Sequence, residues 1–197
     1  MDSTDVICVV NDHIVIRRYR DEDAEVYAHH ANNRNVWNTL SDRMPHPYTV
    51  DDAKAWIAHT RSPETQAVGG RSLSITTARR ISAAYVIVVD GVPCGSISLE
   101  FGSGVYRLNA TLGYWLGEEY HSKGIMSRAV PAFVAWAWQT FGYIVRLNAT
   151  AYKSNTKSQR VLQKAGFVLE STRVNGCIKN GIICDEVTLG ALRPESL

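Results

Sequence analysis

This sequence of 197 residues has no long apolar run, no CxxC pair of cysteines and no large net charge of either sign. No stretch reaches the roughly 18 consecutive apolar residues of a membrane-spanning helix. The opening residues, MDSTDVICVVNDH, lack both the basic region and the long apolar region of a secretory signal peptide. We therefore expect a protein of the cytoplasm or of an organelle matrix, with no membrane partner.

The four cysteines, Cys8, Cys94, Cys177 and Cys184, form no CxxC pair and have no nearby histidine in zinc-ligand spacing. We expect reduced thiols, because a chain of this length does not need disulfides to fold. The 21 Lys and Arg residues against 19 Asp and Glu residues leave a net charge of +2. This charge provides no general field for nucleic acid, so any basic site must be local.

Apolar residues make up 45% of the chain, which is enough to build one buried core. We therefore predict one domain over residues 1–197, with a core from about 12 to 192. Asp90-Gly91 and Asn180-Gly181 tolerate the positive φ angles of tight hairpin turns. Apolar patterns predict strands within residues 13–20, 83–101, 107–116, 144–152, 167–174 and 182–192.

Helical spacing follows Asp21 and Thr49 and covers residues 125–142 and 154–167. Thr49 and Asp52 resemble a capping box, whereas Pro131 is expected to bend the third helix or confine its regular part. Ser154 or Asn155 caps the fourth helix, and Gly166 supplies its left-handed stop.

The polar segment 61–80 is predicted to be a surface loop. The order of the predicted elements is β α α β β β α β α β β, which does not repeat a βαβ unit. We therefore predict the α/β (α+β) class: a mixed, mostly antiparallel sheet of about seven strands flanked by about four helices.

The stretch GEEYHSKGIMSRAV, residues 117–130, joins an aromatic strand to the third helix. The first turn of a helix leaves about four backbone N–H groups unpaired and carries a partial positive charge, so it binds phosphate well. Gly124 lets the backbone approach a ligand, Ser122 and Ser127 offer hydroxyls, and Lys123 adds charge. An ordinary turn with a solvated lysine explains the same residues. The stretch matches neither GxxxxGK[ST] nor GxGxxG, which disfavours a kinase-like or Rossmann site.

A second pair of polar residues, Asn155 and Ser158, shares one face of the first turn of the fourth helix. These side chains would lie beside a ligand that crosses from the start of the third helix. Simple helix capping explains the pair equally.

LGYWLGEEYHSKGIMSRAV, followed one strand later by NTKSQRVLQKAGFVLE, resembles the GNAT superfamily of acyl-CoA-dependent N-acetyltransferases. The chain is most similar to the branch of ribosomal-protein N-terminal acetyltransferases, which RRYRDEDAEVYAHHANN, RMPHPYTVDDAKAWI and the closing hairpin also fit. The resemblance covers residues from about 12 to 192. It implies the GNAT fold, acetyl-CoA as co-substrate and no metal.

The resemblance also implies a binding site for acetyl-CoA. The strand ending at Leu116 would splay from its neighbour, and Tyr114, Trp115 and Leu116 would receive the pantetheine arm. Asn155 and Ser158 would lie near the pantetheine or the sulfur. The pyrophosphate would be held by His121, Ser122, Lys123, Gly124, Ile125, Met126 and Ser127.

This chain departs from the family pattern at several positions. The loop pattern has Arg or Gln where this chain has His121, and Gly or Ala where it has Met126. Thr111 and Asn148 stand where the branch often has glutamates, so no acidic base carries over. Glu100 is our substitute candidate, although a solvated strand-end carboxylate explains it as well.

Ser158 is the preferred donor to the departing thiolate, because the branch places a serine there. Tyr152, which ends a strand beside the site, is the second candidate. The resemblance thus implies direct attack of an uncharged amine on acetyl-CoA, with a backbone N–H near Leu116 polarising the carbonyl oxygen.

The acceptor stays open at this stage, since a protein N-terminus, a polyamine, an amino acid and an aminoglycoside all present amines. A non-catalytic acyl-CoA sensor or interaction module is the alternative function, which the missing glutamates would suit. A nucleotide-dependent kinase is a distant third. We expect a monomer or a homodimer.

Overall fold

Eight strands form one sheet in the order β1-β2-β5-β6-β7-β8-β10-β9 in the computed structural model, which describes residues 5–70 and 80–195. Neighbouring strands of this sheet run antiparallel, except that β7 and β8 are parallel. The strands are β1 (Val6–Val9), β2 (Ile14–Arg17), β3 (Gln66–Val68), β4 (Arg80–Ser82), β5 (Ala84–Val89), β6 (Val92–Phe101), β7 (Asn109–Leu116), β8 (Arg146–Tyr152), β9 (Val168–Lys179) and β10 (Ile182–Leu192). The helices are α1 (Ala24–Ala31), α2 (Arg34–Trp37), α3 (Val50–Thr60), α4 (Met126–Thr140) and α5 (Thr156–Lys164). The predicted mixed α/β class is confirmed.

The sheet is covered by helices on both faces. Strand β5 is buried along its whole length, and its alternating side chains contribute to two separate core clusters. Val86 and Val88 pack with residues of α1 and α3, whereas Tyr85 and Ile87 pack with residues of α4. One face therefore carries α1 and α3, and the other carries α4 and α5.

Both predicted hairpin turns are confirmed. Asp90 and Gly91 have φ angles of 49° and 84°, and Asn180 and Gly181 have φ angles of 54° and 76°. These left-handed conformations suit Asx-Gly pairs, so the turns follow directly from local sequence.

The helix ends also follow local signals. Thr49 and Asp52 form the predicted capping box of α3. The cap of α5 is Asn155, whose side chain accepts from the backbone N–H of Ser158 at 3.1 Å. Gly166 follows α5 with a φ of 87°.

Strand β1 and helix α2 lie outside the predicted elements. Strand β1 has four residues, three of which pair with β2. In the turn between the two strands, Asn11 Oδ1 accepts from the N–H groups of His13 and Ile14. This edge strand is the eighth in the sheet, one more than predicted. Helix α2 has four residues and is capped by Asn33. Elements this short have weak periodicity, so their tertiary contacts decide their structure.

The segment 61–80 is not a loop throughout. Strand β3 lies within it, and β4 begins at its last residue and pairs with β3. Residues 71–79 lie outside the described part of the chain, so the loop prediction for them stays a prediction.

Strands β7 and β8 pair only near their first residues. Their ladder ends at Thr111 and Asn148, yet β7 continues to Leu116 and β8 to Tyr152. The two strands therefore separate, which is the splay that the resemblance implies.

Candidate active site

A cleft of about 1980 Å³ opens where β7 and β8 separate. Residues of β6, β7, β8, α3, α4 and α5 line it, together with part of the segment 35–48. Every predicted site residue lines this cleft except Lys123 and Tyr152. Residues that are far apart in sequence therefore meet in one place.

Alternate residues of β7 direct their peptide groups toward this gap. The N–H of Gly117 donates to the carbonyl of Cys94 at 2.7 Å, so the odd-numbered residues of β7 bond to β6. The even-numbered residues face β8, but that ladder ends at Thr111. The N–H groups of Tyr114 and Leu116 consequently face the cleft, and no described strand pairs with them there.

The imidazole of His121 holds the end of β7 in place. Its Nε2 lies 2.8 Å from the backbone oxygen of Leu116. A carbonyl oxygen can only accept, so this nitrogen carries the proton. The bond engages the Leu116 carbonyl and leaves the Leu116 N–H available. His121 was predicted to contact pyrophosphate, but in this structure its Nε2 is committed to the strand end.

The start of α4 presents unpaired backbone donors. No side chain caps this helix, and the N–H groups of Met126 and Ser127 have no acceptor among the described residues. Ser122 and Gly124 precede them with φ angles of 61° and 71°. A Cβ on Gly124 would meet nothing within 4 Å, so its φ angle, rather than crowding by protein atoms, favours glycine.

A hydroxyl pair links β7 to α5. Tyr114 Oη lies 2.8 Å from Ser158 Oγ and also donates to the Ser158 carbonyl at 3.1 Å. Burial raises the pKa of Tyr114 to about 12, although the hydrogen bond to Ser158 lowers it. The phenol is therefore protonated at neutral pH and is a donor to Ser158.

Sequence reasoning assigned Tyr114 to the pantetheine arm and missed this contact. The signal was available in the alternation of β7. Leu112 and Leu116 are buried in the core cluster that contains α4 and α5, so Tyr114 between them points the same way.

Two predicted side chains point elsewhere. The hydroxyl of Tyr152 donates to the backbone oxygen of Leu40 at 3.0 Å. The ammonium of Lys123 lies 5.5 Å from the centre of the Tyr120 ring. The structure therefore brings neither the second thiolate donor nor the lysine charge to the wall of the cleft.

Glu100 lies directly across the β6–β7 ladder from Thr111. Its carboxylate therefore shares the sheet face on which the branch carries a glutamate. Glu100 Oε2 lies 2.7 Å from Arg43 Nη1, and both side chains are exposed. An exposed pair of this kind contributes only about 0–1 kcal/mol, so Glu100 is free to exchange partners.

Three basic side chains of α5 also line the cleft. Their spacing of three and then four residues places them on one face of the helix. Sequence reasoning considered the apolar face of α5 and the polar pair Asn155 and Ser158, and it passed over these three basic residues. They are Lys157, Arg160 and Lys164.

Residues 13–168 match the sequence profile of the acetyltransferase (GNAT) domain family. The chain belongs to this family. It is 28% identical over 192 residues to YdaF of Bacillus subtilis, which is named as a candidate ribosomal N-acetyltransferase. That alignment covers 95% of this chain and 96% of YdaF.

Solved GNAT structures share the fold. RimL, a ribosomal L7/L12 alpha-N-protein acetyltransferase in complex with coenzyme A, superposes with a TM-score of 0.75 at 17% identity and covers 95% of this chain and 97% of its own. The ribosomal-protein-S5-alanine acetyltransferase from Vibrio fischeri gives a TM-score of 0.73 at 21% identity, with coverages of 94% and 96%. At these identities the likeness establishes the GNAT fold alone.

Two further observations concern parts of the structure outside the cleft. No helix in the described residues is long and apolar enough to cross a membrane. His29, His30 and Glu119 each place one potential metal-ligand atom within 4.8 Å of the others. The absence of a metal from the reaction therefore stays a prediction.

Proposed function

We propose that this protein transfers an acetyl group from acetyl-CoA to a primary amine by direct attack in a ternary complex. The observation that carries the proposal is the convergence of three features in one cleft. These are the unpaired edge of β7, the uncapped start of α4 and the Tyr114–Ser158 hydroxyl pair. RimL, which has the same fold, binds coenzyme A.

Binding would use backbone groups more than side chains. The N–H of Tyr114 pairs with a pantetheine amide as an added strand would, and the N–H of Leu116 stays available for the acetyl group. The amides at the start of α4 receive the pyrophosphate. Lys157, Arg160 and Lys164 supply positive charge for the remaining phosphate of the coenzyme.

The chemical step would use the end of β7 and the hydroxyl pair that links β7 to α5. The Leu116 N–H stabilises the oxyanion that forms when the amine attacks the acetyl carbonyl. The attacking nitrogen loses its second proton to solvent as the amide forms. Ser158 donates its proton to the departing thiolate and regains one from solvent, while Tyr114 turns its single O–H from the Ser158 carbonyl to Ser158 Oγ and stabilises the charge that develops there. Both substrates are held together, so weak acid–base groups suffice.

The acceptor would enter on the sheet face that carries α1 and α3. Ser98, Glu100 and Thr111 lie on that face of the cleft, with Arg43 and Met44 beside them. Glu100 exchanges Arg43 for the acceptor ammonium and receives its proton. We propose a protein N-terminus as acceptor, because YdaF, RimL and the Vibrio enzyme are all named for ribosomal substrates.

The first and last strands that the structure describes, β1 and β10, belong to one sheet. This supports a single catalytic domain over the whole chain. A ribosomal acceptor would also agree with the predicted cytoplasmic location.

Thiol release from acetyl-CoA over a panel of N-terminal peptides, polyamines and aminoglycosides tests this function. We expect turnover with at least one peptide, and Ser158→Ala should lower kcat roughly 10- to 100-fold with little change in acetyl-CoA affinity. Tight acetyl-CoA binding without turnover on any amine would overturn the proposal in favour of an acyl-CoA sensor.

A further inference from the structure

Cys177 and Cys184 face each other across the β9–β10 hairpin. They are direct partners in the ladder, and their sulfurs lie 3.1 Å apart. Both side chains are half-buried, so small solutes reach them. Partners in an antiparallel ladder lie about 4.5–5.5 Å apart at Cα, which is within the range that a disulfide spans. The pair therefore closes without any change of strand register.

The hairpin that carries this pair also contacts residues 38–42, which form part of one wall of the cleft. This wall is called the acceptor wall. Lys179, two residues after Cys177, pairs with Asp42 at 2.6 Å and lies 3.3 Å from the centre of the Trp37 ring. Asn180 donates to Asn38 at 2.9 Å. Lys179 is itself buried although it carries a charge, so these contacts fix it tightly.

The sulfur pair lies next to a third contact with this wall. Tyr152 donates to the Leu40 carbonyl, and its pKa is raised by burial first and then by the neighbouring Cys177 and Cys184. The contacted segment, residues 38–42, continues into Arg43 and Met44, and Leu40 and Ser41 line the cleft directly. A covalent change at the two sulfurs is therefore placed to act on the acceptor side.

We infer that Cys177 and Cys184 form a reversible disulfide that tightens the hairpin under the acceptor wall. The thiolate of one cysteine attacks a low-molecular-weight disulfide, RSSR, forms a mixed disulfide and releases RS⁻. The second thiolate attacks the protein sulfur of that mixed disulfide and releases the other RS⁻. Two cysteine thiols are oxidised to one disulfide, RSSR is reduced, and the two protons end on two RSH.

The exchange is expected to be slow at neutral pH. The hydrogen bond to Cys184 and, to a smaller extent, burial raise the pKa of Cys177 to about 11. The thiolate is the attacking species, so the reaction is slow where most of this cysteine is protonated. The test therefore uses excess oxidised glutathione at mildly alkaline pH and a long incubation, followed by acid quenching.

Trypsin reads the result directly, because it cuts after Lys179, between the two cysteines. The peptides 174–179 and 180–197 stay joined only if the disulfide has formed. We expect the joined pair in the full-length protein and in Cys8→Ser, and its release by a reducing agent. Cys177→Ser should instead carry glutathione on Cys184. Separate glutathione adducts on both cysteines of the wild type, or two unmodified thiols, would overturn the inference.

The effect on the acceptor rests on the proposed function. Fixing the wall in advance lowers the entropy cost of acceptor binding, so oxidation should lower the acceptor KM by about fivefold and leave acetyl-CoA affinity unchanged. Cys177→Ser should not respond. An unchanged KM in the linked protein would overturn the coupling, whereas the peptide test needs no turnover and is independent of the proposed function.

Discussion

The phenol groups of Tyr114 and Tyr152 lie on neighbouring strands of one sheet but have different hydrogen-bond partners. Tyr114 bonds to Ser158 in the cleft, whereas Tyr152 bonds to the carbonyl of Leu40. We expect Tyr114→Phe to lower kcat roughly tenfold, because the donor behind Ser158 is lost. Tyr152→Phe is the matched control, and it should keep kcat and lose about 1 kcal/mol of stability with its hydrogen bond. Steady-state kinetics and thermal melts measure both, and equal kcat losses would contradict the proposed hydrogen-bonding role of Tyr114 beside Ser158.

Gly124 gives a second test at the residue scale. Its φ of 71° strains any other residue, so a simple substitution mixes backbone strain with loss of the anion site. Gly181 has a φ of 76° and similarly open space, but it lies at the tip of the β9–β10 hairpin. We expect both alanine variants to lose similar stability and only Gly124→Ala to weaken acetyl-CoA binding.

Isothermal titration with acetyl-CoA, paired with melting curves of the free proteins, distinguishes the two effects. A similar affinity loss in Gly181→Ala would mean that strain alone explains Gly124→Ala, and the phosphate site at the start of α4 would have to be abandoned.

At the scale of elements, α5 places one side in the core and another along the cleft. Leu162 is buried, and the row of Lys157, Arg160 and Lys164 lines the cleft. We expect Arg160→Glu to weaken acetyl-CoA roughly tenfold and dephospho-CoA much less, because only the former carries the extra phosphate. Competition binding with both compounds measures this difference, and an equal loss for both would place that phosphate elsewhere.

Local signals account for the elements that the sequence predicted. Asx-Gly turns, the Thr49 capping box and the stop at Gly166 depend on neighbours within a few residues, so they are readable without the fold. Strand β1 was missed because its stability comes from pairing with β2. The same limit applies to α2, and to β3 within a polar segment.

The candidate site divides in the same way. The uncapped start of α4 follows from a strand-to-helix junction, so it was predicted from local sequence, and phosphate binding there stays a prediction. The Tyr114–Ser158 contact joins residues 44 apart, and the Tyr152–Leu40 contact joins residues 112 apart. No local pattern reports such contacts, so the sequence named Tyr152 as the second donor candidate and did not show that Tyr114 contacts Ser158.

At the scale of the whole molecule, buried tyrosine and cysteine side chains determine how the free energy of unfolding changes at alkaline pH. Burial raises the pKa of Tyr114 and of Cys94 to about 12, and it raises the pKa values of Tyr19, Tyr27 and Tyr48 as well. In the unfolded chain these groups ionise near pH 9–10. The folded state therefore binds more protons above about pH 9, and the free energy of unfolding falls as pH rises.

We expect Tm to fall more steeply between about pH 9 and 11 than between about pH 7 and 9. Tyr114→Phe removes one of these groups and should reduce the slope. Circular dichroism melts across this range provide the measurement, and a flat Tm up to about pH 11 would contradict the burial of these groups.

The sheet is joined through only three residue pairs between β7 and β8, whereas each strand makes seven pairs with its other neighbour. Mechanically, the eight strands are two plates, one of five strands and one of three, that meet along a short seam. A molecule lying extended in the gap would bond to both plates and act as a missing strand. The complex would then be stiffer than the free protein, and the free protein would flex first along the short ladder between β7 and β8.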